Sequence, residues 1–260
     1  MMRAGWPAVH VEFLGLAGAG KSTVSGAVGA VLRERRIPVT EPTYRLDHLV
    51  SDRTRRALKF WYSLRRAMRR PWEGARWAQT VFGSRQRAFA GSWVETMNLL
   101  YLLELMRSES ALPGVHLFDQ GLFQALWSLA YDAAAAHVIS PPVLERVRRS
   151  LPRTSVVIVI EASLATARGR LRARPGATSR LQRDVTAGRS AAALERATAV
   201  LRPVEAAAYQ LAAEGRIVLL RVSNENDSEL LAAATRIADT VTQLLPEAHP
   251  PMRAAGRRPG

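Results

Sequence analysis

The stretch Val9-His10-Val11-Glu12-Phe13-Leu14-Gly15-Leu16-Ala17-Gly18-Ala19-Gly20-Lys21-Ser22-Thr23-Val24 is a short apolar run that empties into a glycine-rich turn. Gly15, four residues, then Gly20-Lys21-Ser22 is the spacing of a phosphate-binding loop. Backbone N–H groups cradle the phosphates, the lysine reaches the outer ones and the hydroxyl meets Mg²⁺. Glycines suit the loop because it wraps an anion through positive-φ positions and lets no side chain intervene. Past Ser22 the residues turn helical, so a helix N-terminus aims its unpaired donors and the positive end of its dipole at the bound phosphates.

From this chain's own residue frequencies the pattern arises by chance about once in a thousand such sequences. Lysine occurs only at Lys21 and Lys59, against a large excess of arginine. One of the two therefore stands where a slender point charge is wanted rather than a guanidinium fork. The competing reading is a plain glycine-rich turn joining a strand to a helix.

Working outward, residues 9–14 form the first strand, apolar at Val9, Val11, Phe13 and Leu14, with Glu12 the polar exception. Val24, Ala27, Val28, Val31 and Leu32 recur at helical spacing and predict a helix over 21–35. A short second strand over 37–40 ends at Glu41-Pro42. Residues 44–112 read as two to four helices rich in arginine, punctuated at Pro71, Gly74, Gly83 and Gly91. That length between two strands exceeds an ordinary crossover, so a substrate pocket is expected there. Its Trp61, Trp72, Trp77 and Trp93 are expected in the core, and Arg85, Gln86 and Arg87 on a solvated helix face or, alternatively, against substrate.

A third strand over 115–118 delivers Asp119-Gln120-Gly121 at its carboxyl end, and helices over 122–137 and 142–149 follow. Residues 155–160 are a β-branched run of the kind buried on both faces of a parallel sheet. Ser163 caps the next helix, which carries Arg168, Arg170, Arg172 and Arg174 before a proline-glycine break and Ser179-Arg180. An alanine-rich helix over 191–213, kinked at Pro203, a fifth strand over 217–222 and an amphipathic helix over 229–245 complete the pattern. Residues 1–8 are expected to be a loose end and 246–260 a disordered tail. Five strands alternating with helices give an α/β domain, a parallel sheet wrapped on both faces, with the glycine loop at its carboxyl edge.

Phosphoryl transfer needs the donor phosphates held, charge on the moving group offset and a nucleophile oriented in line. Lys21 and the loop amides serve the first need. Ser22 with a carboxylate from another strand end would hold Mg²⁺, and Asp119 is the candidate, its alternative being a helix cap. Glu41 also leaves a strand at the carboxyl edge and is the candidate general base, its alternative being a solvated turn. Arg170 and Arg174 share a helix face and with Arg180 are the candidate arginine lid over 168–183, the alternative being a plain exposed basic helix.

Composition narrows the rest. The 260 residues suit one large α/β domain, and the absence of cysteine excludes disulfides, thiol metal sites and a cysteine nucleophile. No apolar stretch approaches the roughly 20 residues that span a bilayer, so a cytoplasmic protein without a membrane partner is expected. The formal charge of +15 invites a nucleic-acid reading, but the basic residues are spread along the chain without a helix-turn-helix or aromatic RNA-binding signature.

With these parts in this order, the sequence resembles the thymidylate kinase and deoxynucleoside kinase group of P-loop kinases. The resemblance rests on Gly15, Leu16, Ala17, Gly18, Ala19, Gly20, Lys21, Ser22 and Thr23, on Thr40-Glu41-Pro42, on Asp119, on the arginine-bearing stretch 168–181 and on Ser223-Asn224-Glu225-Asn226. It implies a three-layer P-loop NTPase fold with a helical substrate-side region and an arginine lid. It also implies ATP and Mg²⁺ as cofactors, Glu41 as base, Arg174 and Arg180 on the transferred phosphoryl group, and Arg170 and Asn224 on the nucleotide. The expected activity is transfer of the γ-phosphoryl group to a small acceptor, a nucleoside or nucleotide first, and a homodimer is one expected assembly. The rival reading is a nucleotide-binding regulatory or nucleic-acid-associated protein.

Overall fold

β1 (Ala8–Leu14) is the central strand of a five-stranded sheet. It places Val9, Val11 and Phe13 on one face and His10, Glu12 and Leu14 on the other, as the two-residue period of a strand requires. The structure, a computed structural model, describes residues 6–86, 89–133, 138–174, 180–186 and 190–245, the side chains of Asp47, His48, Arg180, Thr186 and Ser190 excepted.

After β1 come α1 (Lys21–Glu34), β2 (Val39–Thr40) and four helices: α2 (Pro42–His48), α3 (Asp52–Arg69), α4 (Pro71–Gly83) and α5 (Phe89–Glu109). β3 (Gly114–Phe118), α6 (Leu122–Asp132), α7 (Pro141–Ser150) and β4 (Ser155–Glu161) follow. The chain continues with α8 (Leu164–Ala173), α9 (Arg180–Thr186), α10 (Ser190–Ala213), β5 (Val218–Ser223) and α11 (Asp227–Gln243). The strand order is β2-β3-β1-β4-β5, with every pairing parallel. Val11 sits beside Leu117 and Val156, so the carboxyl ends of β1, β3 and β4 open at one edge.

Two apolar layers sandwich this sheet. On one face Val24, Val28 and Leu32 of α1 and Ala234, Ile237 and Val241 of α11 pack on Val9, Val11, Phe13, Val156 and Ile158. On the other, α5, α6 and α10 pack on Leu14, Phe118, Val157 and Val159. Strands buried on both faces explain why the fourth one reads as a continuous apolar run. Sheet order, parallel pairing and the glycine loop leading from β1 into α1 make this the three-layer α/β P-loop fold that the sequence predicts.

Several boundaries differ from the sequence expectation. β1 begins at Ala8, and Trp6 packs against the α1 and α11 layer, so residues 6–8 belong to the fold, while 1–5 of the expected loose end lie outside the described residues. α6 ends at Asp132 because Ala133 turns extended and bridges Gln86; residues 134–137 lie outside the described residues, as do 175–179 of the expected lid and the tail 246–260. α10 runs through Pro203. Of the four tryptophans expected in the core between β2 and β3, only Trp77 is buried; Trp61, Trp72 and Trp93 face solvent. The helices that carry them turn other residues inward.

Candidate active site at the phosphate loop

Gly18 and Gly20 both hold positive φ, at 88° and 93°, and Gly20 is the N-cap of α1. A Cβ at Gly18 would strike the Ala167 carbonyl, and one at Gly20 would strike the Asn224 amide. Glycine is therefore required twice over, by backbone conformation and by contact. Inside this turn Lys21 Nζ folds back to donate to the carbonyls of Gly15 at 2.8 Å and Leu16 at 3.0 Å. Burial pushes the Lys21 pKa down to about 8, Asp119 opposing that shift and Arg174 adding to it. A buried cation whose direct hydrogen bonds go to two neutral carbonyls is poised for anionic phosphates.

Asp119 follows β3 and is buried. Its Oδ2 accepts from Ser22 Oγ at 2.9 Å and its Oδ1 from Thr43 Oγ1 at 2.7 Å. The carboxylate is thus turned toward the first residues of α1, and Thr43 of α2 fixes its orientation. A hydroxyl and a carboxylate oxygen converging beside the loop are hard oxygen donors of the kind Mg²⁺ takes, one or two protein ligands being enough when phosphates and waters supply the others. Ser22 and Asp119 are therefore the pair that fits the ion.

The loop is braced from three sides. Asn224, buried after β5, donates its Nδ2 to the Ala19 carbonyl at 2.8 Å. Arg170 reaches from α8 to the carbonyls of Ala19 at 3.3 Å and Asn224 at 2.9 Å. Gln124 Oε1 accepts from the Gly15 N–H at 3.3 Å. Behind Gln124, Glu12 lies buried beneath the N-terminus of α6 and accepts from the Gln124 N–H at 3.0 Å. Burial pushes the Glu12 carboxyl up to about 7, although the N–H groups of Gln124, Phe123 and Leu122 pull it down. The bare Gly121 is what lets that helix start on top of the carboxyl.

The structure brings together Gly15 to Ser22, Asp119, Arg170 and Asn224. It does not bring in Glu41. That carboxylate is taken by Arg33 of α1 and lies over Gly29, on the third and fourth turns of the helix rather than at its start. Pro42 begins α2 directly after it, and Thr43 is the residue that meets Asp119. Arg174 is exposed at the C-cap of α8, near enough for its charge to act on Lys21, while the Arg180 side chain lies outside the described residues. Gln86 is occupied with the Leu129 carbonyl and Ser84, and Arg87 lies outside the described residues. Sequence reasoning missed Thr43, Gln124 and Arg33; of the residues around the loop, Arg170 and Asn224 were named for the nucleotide and Glu12 stood out as the polar exception in β1.

No protein-family model matches the chain, and no curated protein matches it. Solved structures do align with it. The deoxyadenosine kinase of M. mycoides, with dCMP and a flexible dCDP bound, is 13% identical over 91% of this chain and 100% of its own, with a TM-score of 0.48. The shikimate kinase of Acinetobacter baumannii, in complex with shikimate, is 13% identical over 92% of this chain and 95% of its own, with a TM-score of 0.42. A gluconokinase from Sinorhizobium meliloti is 14% identical over 94% and 99%, with a TM-score of 0.37. The fold assignment itself stands on this chain's strand order and phosphate loop.

Proposed function

We propose that the chain is an ATP- and Mg²⁺-dependent phosphotransferase that moves the γ-phosphoryl group to a small acceptor, a nucleoside or nucleotide first and another hydroxyl-bearing metabolite second. The observation that carries this reading is the convergence of Lys21, Ser22 and Asp119 on one glycine loop at the carboxyl edge of the sheet. Lys21 would leave the Gly15 and Leu16 carbonyls for the outer phosphates. Ser22 and Asp119 would hold Mg²⁺, which supplies charge neutralisation on the phosphates when bound. Arg174, and Arg180 beyond it, would offset charge on the transferred group.

Phosphoryl transfer leaves little covalent chemistry to the protein, so positioning and electrostatics dominate. The Arg33 pair gives Glu41 a structural task instead of the base role. Arg170 and Asn224 are proposed to fix the loop from behind rather than to touch the nucleotide. The kinase group that the sequence resembles sets an arginine after this acidic residue, Asp119; Gln120 is neutral and exposed there, which puts a nucleoside ahead of a nucleotide among the acceptors.

A screen of ATP consumption across nucleosides, nucleoside monophosphates, sugars and aminocyclitols, with Lys21→Ala protein as blank, tests the reading. Acceptor-dependent, Mg²⁺-dependent consumption in one class supports it. Consumption no greater than the blank in every class overturns it.

A further inference from the structure

α3 is amphipathic with its polar side turned inward. Toward α5 it presents Ser63, whose hydroxyl donates to the Met97 carbonyl at 2.7 Å, and toward α4 the buried Arg66, which pairs with Glu73 at 2.5 Å. Arg65, Arg69 and, from α5, Arg107 gather on Glu104, which is wholly buried. Toward solvent α3 presents Phe60, Trp61, Leu64 and Met68, with Phe60 57% exposed, Trp61 55% and Met68 62%. Arg53, Arg56, Phe60, Trp61, Leu64 and Met68 recur at spacings of three, four and one, so they share one helix face. The apolar stripe is bounded by exposed Arg53 and Arg56 at one end and by Arg69, Arg70 and Trp72, 81% exposed, at the other. A stripe of this size left in water marks an interaction surface.

Charge decides what covers it. Arg65, Arg66 and Arg69 are matched by Glu104 and Glu73, but Arg53 and Arg56 stand exposed beside the apolar stripe and Arg69 and Arg70 keep much of their side chains in solvent, while Asp52 is the one acid within residues 52–70. A second copy docking by a two-fold axis would set this cationic helix against itself. An anionic bilayer surface complements it, because aromatic and aliphatic side chains enter the boundary below the headgroups while flanking arginines meet lipid phosphates. We propose that the solvent-facing side of α3 is a peripheral contact for membranes containing anionic phospholipid. Spanning length, which argues against a transmembrane segment, says nothing about a surface contact of this kind.

The test is co-sedimentation of the full chain with phosphatidylcholine vesicles made with and without phosphatidylglycerol. The wild type is expected to bind the anionic vesicles about tenfold better. The double variant Phe60→Ser/Trp61→Ser, which leaves the net charge unchanged, is expected to lose about tenfold of that binding while keeping its affinity for ATP. Arg53→Gln/Arg56→Gln, altered at exposed positions only, is expected to lose the preference for the anionic vesicles. Equal sedimentation of the wild type and the apolar variant would assign the binding to overall charge and overturn the proposal. So would a wild-type dimer that the apolar variant converts to monomer, because the face then belongs to a second copy.

Discussion

The Ser22 hydroxyl donates to Asp119 Oδ2 at 2.9 Å, joining residues 97 apart in sequence. α1 begins one residue before Ser22 and β3 ends one residue before Asp119, so the sheet register itself sets this pair beside the phosphate loop. Asp119→Asn keeps one oxygen to accept from Ser22 or Thr43, offers its NH2 to the other hydroxyl as acceptor, and removes the charge an ion needs. It is expected to lower Mg²⁺-dependent turnover by about a hundredfold and to raise the Mg²⁺ concentration required. Steady-state rates against Mg²⁺ concentration check this, and an unchanged Mg²⁺ dependence would remove Asp119 from the role.

Glu41→Gln tests whether the carboxylate held by Arg33 does chemistry. The expected result is a stability loss of about 1 kcal/mol, or about 3 °C in Tm, because Arg33 is half exposed and water takes over part of the lost contact. Turnover is expected to change little. A fall of about a hundredfold at unchanged Tm would return Glu41 to the base role.

Lys21 titrates near pH 8 in the nucleotide-free protein, its pKa held down mainly by burial. Bound phosphates favour the charged form and raise that pKa, so binding of MgATP at pH 8 is expected to take up about half a proton. Calorimetry in two buffers of different ionisation enthalpy reads the uptake directly. Lys21→Arg, whose side chain stays charged, is expected to abolish it, and equal enthalpies in both buffers for the wild type would contradict the assignment.

Glu12 and His10, two residues apart in β1, bend the pH dependence of stability in opposite directions. The Glu12 pKa rises from 4.5 to about 7 on folding, so its contribution is fully present below pH 4.5 and is lost as pH rises through 7, amounting to about 3 kcal/mol. The His10 pKa falls from 6.5 to about 3, chiefly by burial and then by His116, so the folded state loses stability as pH drops below 6.5. Between pH 4.5 and 6.5 the two slopes oppose each other. Glu12→Gln removes one of them, and its Tm relative to the wild type is expected to improve steadily from pH 5 to pH 7. A difference in Tm independent of pH would show that Glu12 does not titrate there.

The phosphate loop was legible because its requirements are local: Gly18 and Gly20 need their conformations, and Lys21 and Ser22 need their places within nine consecutive residues. The strands were legible because burial on both faces demands runs such as residues 155–160. What failed to show was partnership across the chain. Gln124 meets Gly15 at a separation of 109 residues and Thr43 meets Asp119 at 76, and neither residue type advertises a partner at that range. Glu41 turns to Arg33 and not to the loop because a strand end fixes the position of a carboxylate but not its direction. The tryptophans misled because a helix period reveals an apolar face without saying which way it points. In α3 the cluster around Glu104 draws the polar side inward and leaves Trp61 in water.

Isothermal titration of the purified chain with ATP, in the presence and absence of Mg²⁺, tests the central claim most directly. The account predicts Mg²⁺-dependent, one-to-one binding that Lys21→Ala weakens by about a hundredfold while the Tm of the nucleotide-free protein stays unchanged. Absence of Mg²⁺-dependent binding, or binding that survives Lys21→Ala intact, would contradict it.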